Sequence, residues 1–348
     1  MMQRSSTGVA QPLGYKVSAC FKASASVLLH CHHDYDLDIP EDLQEADFFF
    51  ICLKLISEKM KLGLGTVQFG VPYGITNTVG QVNQSQAQAI TQRAYAAGFD
   101  TLDTAIAYGS SERVLGEIGV QSWKVVTKLP AVPEHCDDIS SWLNAQVEAS
   151  LTRLKLGRVH ALLLHRPAQL LEEIGPELND ALQTLKGNGI VDKIGVSVYG
   201  TAELEALFGT YAFDLVQAPL NILDRTLVDS GWAQRLKNEG IETHTRSAFL
   251  QGLLLVPETK RPTKFKQWEY IWTEWDSWLA ATGLTPLQAC LRWTNTLDAI
   301  DKVIVGVESV TQLDQILAAH DGPLPSLPQF KSLHDDRLTN PATWNNLT

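Results

Sequence analysis

From Met60 onward, short apolar runs alternate with longer segments in which apolar residues recur at helical spacing. That alternation predicts strands and helices in turn, the pattern of a parallel α/β barrel. The first strand is read at Leu62–Thr66. A polar loop with Pro72, Gly74 and Gly80 follows, then a helix from about Ser85, whose hydroxyl is the expected N-cap, to Ala97. Phe99–Leu102 reads as the second strand, ending at Asp103, and Ser110-Ser-Glu-Arg opens the next helix with a capping signature. The third strand ends at Lys128. Leu143, Val147, Leu151 and Leu154 then line one face of a helix over 139–156. The fourth strand ends at His165, where Arg166-Pro167 breaks it. A helix over 177–186 stops at Gly187-Asn-Gly189. Further strands are expected at Lys193–Ser197, Asp214–Gln217, Ile241–Arg246 and Lys302–Val305, and a last helix at about 311–319. Eight strands without an internal repeat predict a single-domain (β/α)8 TIM barrel over residues 60–320.

Three stretches stand outside the repeat. Residues 1–59 read as an N-terminal extension, poorly ordered or a start-site artefact, with Met60 as the expected natural start. Its first acidic residue is Asp34, which is faintly like a transit peptide. His30-Cys-His-His33 lacks the paired spacing of a zinc site, and the Phe48–Leu53 run is far shorter than the roughly 20 residues a membrane span needs. Between the seventh and eighth strands a long insertion over 249–283 carries Trp268, Trp272, Trp275 and Trp278 on one helix face. A core face is expected there; the alternative is that one ring walls the substrate pocket. The tail, 321–348, is expected to lie over the barrel without regular structure.

Composition narrows the partners. The 348 residues carry a formal net charge of -11, which argues against nucleic acid and anionic membrane. It leaves room for a dinucleotide, whose phosphates backbone N–H groups can hold. Five scattered cysteines suggest reduced thiols and a cytoplasmic setting rather than a disulfide framework. The sequons at Asn83 and Asn346, with no secretory signal, read as chance. No metal site is expected.

Barrel enzymes place their chemistry at strand exits and in the loops that follow. Asp103, Tyr108, Lys128 and His165 occupy such positions at the second, third and fourth strands. In this order they resemble the aldo-keto reductase superfamily, and the likeness runs over about 61–317. The resemblance implies hydride transfer between a nicotinamide dinucleotide and a carbonyl or alcohol. The alkoxide formed by hydride addition needs a proton, which a tyrosine beside a cation can supply. Tyr108 is therefore the expected donor, Lys128 and Asp103 its tuning pair, and His165 the group that orients the carbonyl. A purely structural Asp103–Lys128 ion pair is the bland alternative.

For the cofactor, NADPH or NADH, no Gly-x-Gly-x-x-Gly follows a strand, so a Rossmann site is not expected. The resemblance instead implies Gly65, Thr66 and Asp103 near the reacting end, and Ser197 and Gln217 on the nicotinamide carboxamide. It also implies the loop Arg246-Ser247-Ala-Phe249-Leu-Gln251-Gly252 over nicotinamide and pyrophosphate. Arg246 stands where many members carry an aromatic residue, and a guanidinium plane can stack similarly. Val198 replaces the usual Asn. Gly306, Glu308 and Gln312 fall where NADPH-specific members carry Lys and Arg, so NADH is expected to serve at least comparably. Two rival readings are a catalytically silent, redox-sensing barrel and a nicotinamide-independent lyase or isomerase.

Overall fold

The structure, a computed structural model, describes residues 60–77, 79–328 and 335–347. The extension 1–59 lies outside the described residues, with its His30–His33 cluster and its Phe48–Leu53 run.

Among the described residues the strands are β1 (Leu62–Gly65), β2 (Thr101–Asp103), β3 (Lys124–Leu129), β4 (Val159–Leu164), β5 (Val191–Ser197), β6 (Leu215–Pro219), β7 (Glu242–Arg246) and β8 (Lys302–Gly306). Each pairs in parallel with its neighbours in chain order, and β1 pairs with β8 to close the barrel. The predicted (β/α)8 TIM barrel is what forms. Its interior is dense: Val126, Ala161, Leu163 and Leu215 form a fully buried cluster. Burying such side chains is the main source of barrel stability, roughly 2 kcal/mol each.

The main helices are α1 (Gln84–Ala96), α2 (Ser111–Ile118), α3 (Ile139–Leu154), α4 (Gly175–Gly187), α5 (Thr201–Leu207), α6 (Trp232–Asn238), α7 (Glu269–Thr282), α8 (Pro286–Asn295) and α9 (Val310–Ala319). The cap of α1 is Asn83 rather than Ser85, because the Asn83 Oδ1 accepts from Gln86 N at 3.0 Å. Ser110 stands at the start of α2 without a side-chain cap bond. A helical turn, Val67–Gly70, replaces the loop expected immediately after β1. Between the insertion and β8 the chain also forms α8, which the apolar pattern did not predict. Its start is a full capping box, Thr285 with Gln288, and carries Pro286 in its first turn.

Trp268, Trp272 and Trp275 are buried, as the core reading expected, and none of the four tryptophans lines the cleft described below. The indole of Trp272 donates to Phe265 O at 2.9 Å and that of Trp268 to Asp335 Oδ2 at 3.0 Å. The tail departs from expectation in containing a helical turn, Asp336–Thr339, and a 3-10 turn, Pro341–Asn346. Trp344 explains the second turn: its buried ring packs edge-on against Phe265 with centroids 4.8 Å apart. Cys136 and Cys290 are free thiols; the other cysteines lie outside the described residues. No helix among the described residues is long and apolar enough to cross a membrane.

Candidate active site

Strand pairing sets the site. Asp103 ends β2 opposite Val126, so two residues further along β3 Lys128 reaches the same end of the barrel. The Lys128 ammonium lies 2.8 and 2.7 Å from the two Asp103 carboxylate oxygens and donates to Thr104 O at 2.9 Å. Lys128 is fully buried. Burial alone would depress its pKa, but the Asp103 carboxylate and the Tyr108 phenol beside it outweigh burial and hold it above the ordinary lysine value. The same ammonium stands 5.0 Å from the centroid of the Tyr108 ring.

His165 follows β4, its N–H donating to Leu129 O at 3.0 Å and so continuing the ladder. Its ring meets that of Tyr108 edge-on at 5.9 Å between centroids. Burial, then the Lys128 charge, push the imidazole down to about 4. At neutral pH it is therefore uncharged: it can orient an oxygen by hydrogen bonding but is a poor source of a proton. The four residues predicted from separate strand exits thus meet at one end of the barrel.

Local contacts fix the loop that carries Tyr108. Thr66 Oγ1 donates to Asp103 O at 2.9 Å, and Ser111 Oγ donates to Thr66 O at 2.9 Å and lies 3.0 Å from Thr104 Oγ1. These buried hydroxyls tie the exits of β1 and β2 to the start of α2. Ile106 N donates to Lys128 O at 3.2 Å. A Cβ on Gly70 would fall 1.7 Å from Tyr108 O, so only glycine lets the turn after β1 seat against this loop.

Ser197 and Gln217 lie beneath the site, buried, and neither lines the cleft. Gln217 Nε2 donates to Asp103 Oδ1 at 2.6 Å, and Ser197 Oγ sits 3.3 Å from Gln217 Oε1. The Gln217 amide thus already holds the carboxylate that holds the lysine.

A cleft of about 330 Å³ runs from Asp103 and Tyr108 towards the exit of β8. Gly65 and Thr66 line it on the β1 side, and Gly306, Glu308 and Gln312 on the β8 side. Arg246, Ser247, Phe249, Gln251 and Gly252 supply the β7 wall. Ser247, Leu250 and Gln251 all have positive φ, at 65°, 48° and 53°. Such strain in non-glycine residues gathers where a loop is shaped for a ligand. The loop is also tied across the cleft: Ile75 N donates to Gln251 O and Gln251 Nε2 to the Tyr73 hydroxyl, both at 3.2 Å. Arg246 has one guanidinium face over the Tyr199 ring at 4.8 Å and donates from Nη2 to Val198 O at 2.9 Å. Gln312 Oε1 accepts from Glu308 N at 2.7 Å, which fixes the entry to α9.

The apolar pattern missed Gln68, Tyr73, Thr76 and Gln315, which also line the cleft. Gln68 did carry a signal, as a lone polar residue in the run Val67-Gln-Phe-Gly70. Tyr73 and Thr76 gave none, because their loop becomes a wall only when the β7 loop lies over it. Burial, then the adjacent Tyr108, raise the Tyr73 phenol above its ordinary pKa.

Comparison with known proteins bears on the fold and the family. The glycerol dehydrogenase of Gluconobacter oxydans superposes with TM-score 0.59 at 19% identity, over 76% of this chain and 88% of that one. A holo aldo-keto reductase of Bacillus halodurans superposes with TM-score 0.60 at 19% identity and the same coverages, 76% and 88%. At that identity the likeness establishes the fold. Among curated proteins, the NAD/NADP-dependent indole-3-acetaldehyde reductase of Schizosaccharomyces pombe is 31% identical over 153 residues, covering 42% of this chain and 50% of that protein. The 6-dehydroglucose reductase of Agrobacterium fabrum is 29% identical over 163 residues, covering 41% and 52%. The matches span about half the length of these relatives. The family model for the aldo/keto reductases matches residues 61–328, the whole barrel, and the chain belongs to the aldo/keto reductase family.

Proposed function

We propose that the chain is an NAD(P)(H)-dependent oxidoreductase that reduces an aldehyde or ketone, or oxidises the corresponding alcohol, sugar-like alcohols included. The observation that carries this reading is the meeting of Tyr108 with the buried Lys128–Asp103 pair and with a neutral His165. The cleft fits a dinucleotide in its chemistry. Its β7 wall is strained backbone, and its lining includes both Tyr108 and polar groups at the exit of β8. A bound nicotinamide would supply the hydride.

The residues then divide the remaining work. His165, uncharged, orients the substrate oxygen. Tyr108 delivers the proton to the alkoxide, and the Lys128 ammonium stabilises the phenolate left behind. Asp103 keeps that ammonium in place, itself held by Gln217. A placed acid of this kind contributes about 10²–10⁴ in rate. Ser247, Phe249, Gln251 and Gly252 would cover the dinucleotide, and the open face of Arg246 would stack on it. Glu308 would meet a ribose hydroxyl and repel a 2′-phosphate, which favours NADH at least as much as NADPH.

The test is a panel of aldehydes, ketones and alcohols assayed with NADH and NADPH side by side. Turnover with at least one carbonyl, with Michaelis constants for the two nucleotides within tenfold, is expected. Tight nucleotide binding without any turnover would favour the silent, redox-sensing barrel. A hundredfold preference for NADPH would defeat the role given to Glu308.

A further inference from the structure

A second cavity, of about 240 Å³, is walled by the exits of β5 and β6, the first turn of α5 and the tail turn Asp336–Thr339. It shares only Arg246 with the cleft, and neither Asp103 nor Tyr108 lines it. Three carboxylates, Glu203, Asp224 and Asp336, stand on its wall against the one guanidinium of Arg246. Two of these four groups are already engaged. Glu203 accepts from Tyr199 N, and Arg246 lies over the Tyr199 ring and donates to Val198 O. Asp224 differs. It is only 7% exposed, yet among the described residues its carboxylate bonds to Thr226 alone, with Oδ1 3.3 Å from Thr226 N. Burial raises its pKa against the pull of the Thr226 bonds, and the nearby Asp336 charge adds to the rise. A carboxylate buried without a cation is costly, and the cost is relieved by a ligand that brings one.

We infer that this cavity is a second small-molecule site, taking a compact organic ligand through a primary ammonium group seated between Asp224 and Asp336. An ammonium offers three donors and one positive charge, which answer the two uncommitted carboxylates. An anionic ligand would instead meet three like charges and a single cation that is already engaged. A metal ion does not fit, because no group of three His, Cys, Asp or Glu among the described residues could hold one. Ala218, Pro219 and Leu227 give the cavity an apolar side, which suits a body of a few carbon atoms. The inference does not depend on the oxidoreductase reading of the cleft.

The test titrates the full chain with n-propylammonium, 1-propanol and propionate, three probes of similar size and different charge, followed by ligand-observed NMR. Expected is a Kd of about 10 mM or tighter for the ammonium, within reach of four non-hydrogen atoms, with no saturable binding of the other two. Asp224→Asn keeps the oxygen that Thr226 N meets. It should weaken the ammonium at least tenfold, the loss of one charge-assisted hydrogen bond, while the melting midpoint holds or rises. Ala202→Leu, which fills part of the cavity from an exposed helical position, should weaken it likewise. If Asp224→Asn fails to fold, Ala202→Leu decides alone. Ammonium binding that neither substitution changes is general attraction to a chain of net charge -11 and overturns the inference. So does preferential binding of propionate, or the absence of ammonium binding by the parent.

Discussion

Of the carboxylates in this barrel that hold cations, Asp103 and Glu242 stand at opposite ends of their strands. Asp103 ends β2 and grips Lys128 at the mouth. Glu242 begins β7 and accepts from Lys193, from His160 at 3.1 Å and from His244 at 2.7 Å. Burial would raise the Glu242 carboxyl, but its two histidine partners and the lysine hold it well below the usual carboxylate range. Both clusters are ion networks, the one at Glu242 half-buried, yet only Asp103 lines the cleft. An ion network at the strand starts secures the fold; the same chemistry at the strand exits, next to an open cleft and a phenol, is available for a reaction. The comparison teaches that charge and burial alone do not make a site. Access and a transferable proton do.

Substitutions at the two ends should break the comparison cleanly. The largest effect is expected from Tyr108→Phe, which should cut kcat by about 10³ or more while nucleotide Kd stays within twofold. Normal turnover would refute the proton-donor role. Next comes Lys128→Met, which strands Asp103 as a buried anion. Both kcat and stability should fall, the latter by about 3 kcal/mol in chemical denaturation. At the other end, Glu242→Gln should cost a similar or smaller stability, on the order of 2–3 kcal/mol, with kcat within twofold of the parent. A tenfold loss of kcat there would erase the distinction between the two clusters.

The smallest effect is in pH dependence. His165 is pushed down to about 4 from its ordinary 6.5, so the unfolded chain binds the extra proton first. Its neutral form contributes stability that is present above about pH 6.5 and lost as pH falls towards 4. Glu242, depressed, contributes stability present above the unfolded carboxylate value of about 4.5 and lost as pH falls below it. Melting curves should therefore flatten between pH 6.5 and 4 in His165→Asn, and only below about 4.5 in Glu242→Gln. Parallel profiles for parent and both variants would contradict these assignments.

The barrel and the four mouth residues were legible in the chain because both are local facts. Strand runs such as Lys124–Leu129 declare themselves by apolar content, and Lys128 is conspicuous as a cation at the end of one. The capping box at Thr285 was equally local and was passed over between the insertion and the last strand. Other features had no local trace. That Gln217 would hold Asp103 across 114 residues of chain depended on the register of four strand pairings between them. That Tyr73 would share a wall with Gln251 depended on two loops meeting over the cleft. That the Gln68 amide would be left without a partner depended on the room made by Gly306.

Sequence by itself determined the alternation of elements, and hence a closed parallel barrel, because hydrophobic periodicity acts over a few residues at a time. It also determined which reactive side chains stand at strand exits. Only the tertiary structure decided which ion pair faces a cleft, which amides are already committed and which are left with an open atom. Those outcomes depend on distances between strands and loops that no neighbouring residues encode.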